Sequence, residues 1–371
     1  MKSILSVGMD VHKNSFSLCA YDGYTGEIVS ESTFASDVKL VIKFIETLKS
    51  RYENDVEIKC GYEAGCLGYS LYKSLTSRGV DCVILAPTTM QVSAKNKMVK
   101  NDRMDALNIA KNLASGSYKA VYVPDEEDVE IKEYIRMIHD FKKELKRVKQ
   151  EIYAFVLRHG YQYDGKSKWT IRYMNWIREL EMSEIQRETL NEYIAEMENL
   201  NNKIDRFMNR IDEMYQSERY HEKVSKLRCF KGIDTFAAMT IQVETADFER
   251  FPNAKAYASY TGLTTGEHSS GDKNNRIGIT KQGNTVIRKT LVECAQSLVK
   301  GNVYAKKSQR LKSRQKGMDV NIIAYADKAT ERLKKKYQKL IERNVPRNKA
   351  IVAVARELAC FIWGMETGNI H

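Results

Sequence analysis

From Ile4 to about Tyr122, short apolar runs (ILSVGM, FSLCAY, EIKCGY and VDCVIL) alternate with amphipathic stretches such as DVKLVIKFIETLKS and CLGYSLYKSLTSRG. Strand-length runs separated by segments of helical period predict an α/β region. From about Asp125 to Tyr220 the period changes. Ile131, Tyr134, Ile138, Phe141, Leu145, Val148, Ile152 and Phe155 recur at alternating steps of three and four. Leu190, Tyr193, Met197, Leu200, Ile204, Phe207, Ile211 and Met214 repeat the pattern. Two heptad helices are therefore expected, either folded back on each other as an antiparallel hairpin or docked on another subunit as a coiled coil. After His221 the chain reads as helical but more broken, and LRCFKGIDTFAAMTIQVE carries a glycine turn between apolar flanks. Such a turn can offer backbone N–H groups to a phosphate, but a plain helical turn is the commoner use. Pro124, Pro252 and Pro346 fall between segments of different pattern. The expected organisation is an α/β region over 1–124, a helical interaction region over 125–220 and a mainly helical region over 221–371.

Composition narrows the class of partner. The 371 residues carry 60 Lys+Arg against 48 Asp+Glu, a net charge of +12, so a polyanion is the natural partner through counterion release from phosphates. No apolar run approaches the roughly 20 residues that cross a bilayer. The opening MKSILSVGMDVHK meets an acid and a histidine too early for a secretory signal, which makes a cytoplasmic, nucleoid-associated protein the expectation. The seven cysteines are scattered without a CxxC pair and are expected to be reduced, packed as small hydrophobes. Dense basic runs in AKKSQRLKSRQKG and ERLKKKYQKLIERN are candidate nucleic-acid backbone contacts.

Four acids stand at predicted element ends. Asp10 ends the first strand in SVGMDVHK, Glu63 closes EIKCGYEAG where a strand turns into a helix, and Asp102 and Asp105 open a helix in VKNDRMDALNIAKNLA. Singly, each has a bland explanation: Asp102 as an N-cap, Asp105 as a complement to the helix dipole, Glu63 as an exposed turn residue. Together they provide the hard oxygen ligands that two Mg²⁺ ions about 4 Å apart need for phosphoryl transfer. Lys95, Lys97, Lys100 and Arg103 flank the last pair and could steer a nucleic-acid backbone toward it.

GMDVHKNSF, YEAG and KNDRMDA, at these separations, resemble the DEDD tetrad of the RuvC-like (ribonuclease H fold) domain in the insertion-sequence one-ten family of transposases, relatives of the Piv DNA invertases. HSSGDKNNRIGITKQGNTVIRKTL and KGIDTFAAMTIQVETADFERFPNAKAYASYTGL resemble that family's second domain, so the similarity runs along nearly the whole chain. FKGID stands where a proline-glycine turn is common in the family. The resemblance implies a recombinase in which Asp10, Glu63, Asp102 and Asp105 bind Mg²⁺. Its nucleophile would be Ser270, with Ser269 as the fallback, attacking a DNA phosphodiester to form a phosphoserine link, the serine supplied by a neighbouring subunit of a homo-oligomer. It also implies a bridge RNA that pairs with donor and target DNA. Within the serine segment, Gly271 permits close backbone approach, Arg276, Lys281 and Arg288 are candidates to cradle phosphate oxygens, and His268 is a candidate proton shuttle.

Two other classes compete. An actin-like sugar kinase also ends its first strand in an aspartate, but it brings glycines to the ATP phosphates, whereas Asp10 is followed by Val11, His12, Lys13 and Asn14. A non-catalytic nucleic-acid scaffold would use only the heptads and the basic tail, and its acids could be neutralised without loss of DNA exchange.

Overall fold

The structure is a computed structural model that describes residues 3–52, 55–65, 67–91, 101–267, 276–303 and 305–370. The chain divides into two compact units, Met1–Pro124 and Asp125–His371.

The first unit contains β1 (Ser3–Val11), β2 (Ser15–Asp22), β3 (Ile28–Ala35), α1 (Val38–Arg51), β4 (Val56–Glu63), α2 (Ser70–Thr76), β5 (Asp81–Leu85) and α3 (Asp102–Ser115). The strands form one mixed sheet in the order β3-β2-β1-β4-β5. β1, β4 and β5 run parallel, and β2 is antiparallel to both of its neighbours. Alternation along the strands assigns the two faces. Leu5, Val7 and Met9 of β1 with Ile58, Cys60 and Tyr62 of β4 share a core with Val41, Ile45 and Leu48 of α1 and Leu71 and Leu75 of α2. The opposite parity faces α3, where Leu85 packs with Ile109 and Leu113.

The α3 face is shaped by two glycines. Gly8 and Gly61 are register partners on adjacent strands. A Cβ on Gly8 would lie 2.1 Å from the Ala106 carbonyl oxygen and 2.3 Å from the Ala110 nitrogen, so α3 rests with its backbone directly on the sheet. Asn101 caps α3 by accepting from the Met104 N–H at 2.8 Å, and Gly116 ends it in the left-handed conformation.

The second unit is helical apart from one small hairpin. It comprises α4 (Glu126–Arg158), α5 (Ile171–Glu179), α6 (Glu184–Tyr215), α7 (Glu218–Arg228), α8 (Thr235–Thr245), α9 (Ala254–Tyr260), β6 (Thr265–Glu267), β7 (Arg276–Ile279), α10 (Thr285–Leu298), α11 (Gln309–Gln315), α12 (Val320–Glu342) and α13 (Arg347–Glu366). The two heptad segments are the long helices α4 and α6, and they fold back on each other. The end of α4 (Val148, Ile152, Phe155) meets the start of α6 (Leu190, Ile194, Met197), with α5 filling the open end through Tyr173 and Ile177. The start of α4 and the end of α6 join a larger core with α7, α8, α10, α12 and α13. Ile135, absent from the predicted seam, is fully buried because this part of α4 also packs against that core. The glycine turn after α7 is occupied by protein groups. Gly232 (φ +91°) lies against α10, Asp234 accepts from the Ala237 N–H, and Arg314 donates to the Ile233 carbonyl, which favours the plain turn over a phosphate site. The six described cysteines are free, five of them buried. Among the described residues, no helix is long and apolar enough to cross a membrane.

Candidate functional site

Asp10 stands at the carboxyl end of the central strand on the α3 face, its side chain 17% exposed. Because Gly8 and Gly61 let α3 descend onto the sheet, the first turn of that helix arrives beside Asp10. Ligand atoms of Asp10, His12 and Asp102 all lie within 4.8 Å of one another. His12 Nε2 is 3.2 Å from Asp10 Oδ2 and 3.6 Å from Asp102 Oδ1. Burial raises the Asp10 carboxyl above its usual range; the nearby His12 pulls it back, and the charges of Asp102 and Asp105 push it further up. Asp105 is thus close enough to be felt by Asp10, although it stands outside the tight group. Glu63, exposed at the end of β4, lies one step beyond the Met9↔Tyr62 pair, on the same sheet face as Asp10. Asn101, not Asp102, takes the cap position, so both aspartates stay available in the first turn, where the helix dipole favours negative charge.

These residues fit a divalent cation. The Asp10 carboxyl is raised first by burial and then by the charges of Asp102 and Asp105, and a hard cation at the carboxyl end of β1 would offset both. The imidazole of His12 adds a nitrogen ligand of a kind that Mn²⁺ and similar ions accept.

Arg103, expected to meet nucleic acid, is ion-paired with Glu31 of β3 and so ties α3 to the sheet edge. Lys95, Lys97 and Lys100 lie outside the described residues. The chain is fixed just before that segment, where the buried Asn112 accepts from the Gln91 N–H at 2.9 Å and donates to the Gln91 carbonyl at 3.1 Å.

His268, Ser269, Ser270 and Gly271 also lie outside the described residues, but the strands on either side are defined. β6 and β7 pair antiparallel through Thr265↔Ile279 and Glu267↔Arg276, so the serines belong to the connection of a hairpin. Its base is fixed by backbone bonds from Thr280 to Thr264, Lys281 to Gly262 and Asn284 to Tyr260. Gly283 has φ +121°, and a Cβ there would lie 2.0 Å from the Tyr260 oxygen, so this crossing requires glycine. Arg288 donates to the carbonyls of Lys281 at 3.0 Å and Thr261 at 3.3 Å, and in this state it holds the hairpin base. Lys281 is exposed; Arg276 is described only as backbone in β7.

Sequence reading missed the group beneath this hairpin. Glu244, at the end of α8, has a side chain with 0% exposure. Arg136 of α4 donates to it twice, at 2.8 and 3.2 Å, Lys132 lies 3.6 Å away, and Asn284 donates at 2.6 Å. Burial would raise the Glu244 carboxyl, but the Arg136 hydrogen bond, the Lys132 charge and the Asn284 bond together hold it below the usual glutamate range. Asn284 also caps α10, accepting from Val286 and Ile287. One buried carboxylate therefore links the long helix α4 to the residue at which the serine hairpin returns to the core. An acid inside the apolar segment FAAMTIQVETA was the available signal, since a buried charge needs partners.

Two family models and several known transposases match the chain. The family model described as Transposase IS116/IS110/IS902 family matches residues 224–309, which contain the hairpin, and the DEDD transposase model of the IS110 group matches residues 7–160, which contain the four acids. A putative transposase of Sinorhizobium fredii is 32% identical over 361 residues, covering 97% of this chain and 87% of the relative. The transposase for insertion sequence element IS1533 of Leptospira borgpetersenii is 31% identical, covering 92% of this chain and 97% of the relative. The transposase for IS1111A of Coxiella burnetii is 23% identical, covering 88% of each. With both family models in order along it and relatives aligned over nearly its full length, the chain belongs to the IS110 family of transposases, enzymes that cut and recombine DNA.

Proposed function

We propose that this transposase cuts and rejoins DNA through a metal-assisted, covalent phosphoserine route. The observation that carries the metal part is the seating of α3 on Gly8, which puts Asp102 beside Asp10 with His12 between them. The strand order, with a single antiparallel strand next to the central one, supports a RuvC-like, ribonuclease H type of domain. In this reading Asp10, Glu63, Asp102 and Asp105 hold Mg²⁺, which when bound supplies positive charge to the phosphate under attack. Ser270 is the nucleophile: its Oγ forms a bond to phosphorus, one P–O bond to deoxyribose breaks, and the serine proton leaves to solvent or a neighbouring base while the freed sugar oxygen takes one up. Storing the broken linkage as a phosphoester lets strands be exchanged without ATP. Lys95, Lys97, Lys100, Lys281 and Arg276 are assigned to the nucleic-acid backbone. Arg103 and Arg288 act in their present pairings mainly by holding α3 and the hairpin base. We assign the serine to a neighbouring subunit of a homo-oligomer, and a bridge RNA as a second polyanionic partner consistent with the +12 balance. The regions 1–124, 125–220 and 221–371 then serve as metal domain, helical interaction region and serine domain.

The test is trapping of the protein–DNA adduct. Ser270→Ala abolishes it while nucleic-acid binding survives, and Asp102→Ala abolishes Mg²⁺-dependent cleavage with the fold intact. An adduct that persists in Ser270→Ala and disappears in Ser269→Ala moves the nucleophile by one residue; cleavage that continues in EDTA removes the metal from the scheme.

A further inference from the structure

Toward its C-terminal end, α4 carries a groove of about 370 Å³ between that helix and the segment leading into α5. Lys142, Lys146 and Lys149, at helical steps of four and three, line it from α4, and Lys168 closes it from the other side. Its apolar walls include Tyr153 and Trp169. No carboxylate lines the groove, and none of the four lysines has an ion-pair partner among the described residues. Three of the ammonium groups rest on rings instead: Lys168 is 3.5 Å from the Tyr153 ring centre, Lys149 is 5.5 Å from that of Trp169, and Lys142 is 3.6 Å from that of Phe236. Burial holds the Lys142 and Lys149 ammoniums below the usual lysine range. Lys142 has the charges of Asp234 and Glu293 near it, whereas Lys146, Lys149 and Lys168 have no ion-pair partner among the described residues, and three such cations make a place where an anion is favoured.

The tryptophan is set unusually. Trp169 has φ +66°, a left-handed backbone that a bulky residue rarely adopts, and its ring stands edge-on to Tyr173 at 5.2 Å. The local chain accepts this strain while turning the indole toward the lysines, and such strain concentrates at working sites. Solvated lysines snorkelling along a helix would explain the charges alone, but not an anion-seeking groove walled by two rings. Flat rings between well-spaced cations match an unpaired nucleotide, whose base stacks while the phosphates on either side meet the ammoniums. A duplex keeps its bases stacked on one another and offers none.

We infer that this groove binds a single-stranded polynucleotide, with an unpaired base against Trp169 or Tyr153 and the adjoining phosphates on Lys146, Lys149 and Lys168. The site lies within the Asp125–His371 unit, apart from the serine hairpin, and its occupancy does not depend on the phosphoserine route.

The experiment uses the full chain with Asp10→Asn, so that binding is read without strand cleavage. Oligonucleotides of about 15 nucleotides carrying 5-iodouracil, as RNA, as DNA and as a DNA duplex, are photo-crosslinked and the modified peptides mapped by mass spectrometry; affinities follow from fluorescence anisotropy over a range of salt. The crosslink is expected on the peptides bearing Trp169 or Tyr153 with single strands and not with the duplex, and the arm that gives it, RNA or DNA, identifies the source. Trp169→Leu is expected to weaken that single-strand binding roughly 5- to 150-fold, the worth of one stacked base. Lys146→Gln with Lys149→Gln, checked as folded by circular dichroism, is expected to lower the salt slope by about 1.4. Crosslinks confined to other segments, equal capture of the duplex, or an unchanged salt slope in the lysine variant would each overturn the assignment.

Discussion

Glu244→Ala removes the one carboxylate on which α4, α8 and the start of α10 converge. The variant takes from the Arg136 guanidinium, the Asn284 amide and the Lys132 ammonium, the last only 11% exposed, the carboxylate they now share. Removing the buried member of a charge network costs about 3–5 kcal/mol, because Lys132 and Asn284 lose a partner they hold away from water, while the Arg136 guanidinium, 43% exposed, can turn to solvent. For a domain of this size each kcal/mol lowers Tm by about 2–4 °C, so a drop of roughly 6–20 °C is expected. Trp169, Trp176 and Trp363 are the only tryptophans, and all lie in Asp125–His371, so selectively excited tryptophan fluorescence follows the melting of that unit. The effect also has a pH signature. Because the Glu244 carboxyl is held below its ordinary range, its contribution is complete above an unfolded pKa of about 4.3 and disappears as pH falls through its lowered folded value. The parent and variant melting curves therefore converge in acid. Combining Glu244→Gln with Arg136→Met should cost less than the sum of the two single changes, with a coupling of about 0.5–3 kcal/mol. A Tm loss below about 3 °C at neutral pH, or a difference that does not shrink in acid, would refute the buried-network account.

Gly8→Ala places a methyl group against the Ala106 and Ala110 backbone, so α3 must move. The expected cost is about 1–3 kcal/mol by circular dichroism melting, together with loss of any Mg²⁺-induced rise in Tm, since Asp102 moves with the helix. A variant that keeps that rise would show that the helix position does not matter. Glu366, in α13, has its carboxyl raised to about 7, chiefly by burial. A raised carboxyl favours the folded state below its unfolded pKa, and that contribution is lost as pH climbs from about 4.3 through the folded value. Glu366→Gln should flatten the decline in stability over that window, which urea titrations at several pH values would detect; an unchanged slope would assign the decline elsewhere.

Much of this fold was legible in the chain. Alternating apolar runs gave four strands and two helices of the first unit, while β3 (IVSESTFA), largely polar and half-exposed, offered no comparable run. The heptads of α4 and α6 announced long helices, but only the packing of Val148 and Ile152 against Leu190 and Ile194 decided that they pair with each other. The positions of Asp10, Glu63, Asp102 and Asp105 at element ends were read correctly. What brings Asp10 and Asp102 together was not, because it depends on Gly8 and Gly61 becoming register partners, a relation between residues far apart in sequence. His12 was hidden for a different reason: it follows Asp10 by two residues in the turn that leaves β1, and only the folded turn brings its ring back between the two aspartates. Arg103 and Arg288 looked like free cations because sequence does not reveal that Glu31 and the Lys281 carbonyl claim them.

The central claim is that carboxylates at the end of β1 and the start of α3 gather a divalent cation. Titrating the full chain with Mn²⁺ and following the free ion by electron paramagnetic resonance tests it without reference to any reaction. The account predicts a bound-ion fraction in the parent protein that is lost in Asp10→Asn and in Asp102→Asn, both still folded by circular dichroism. Undiminished Mn²⁺ binding in those two variants would contradict it.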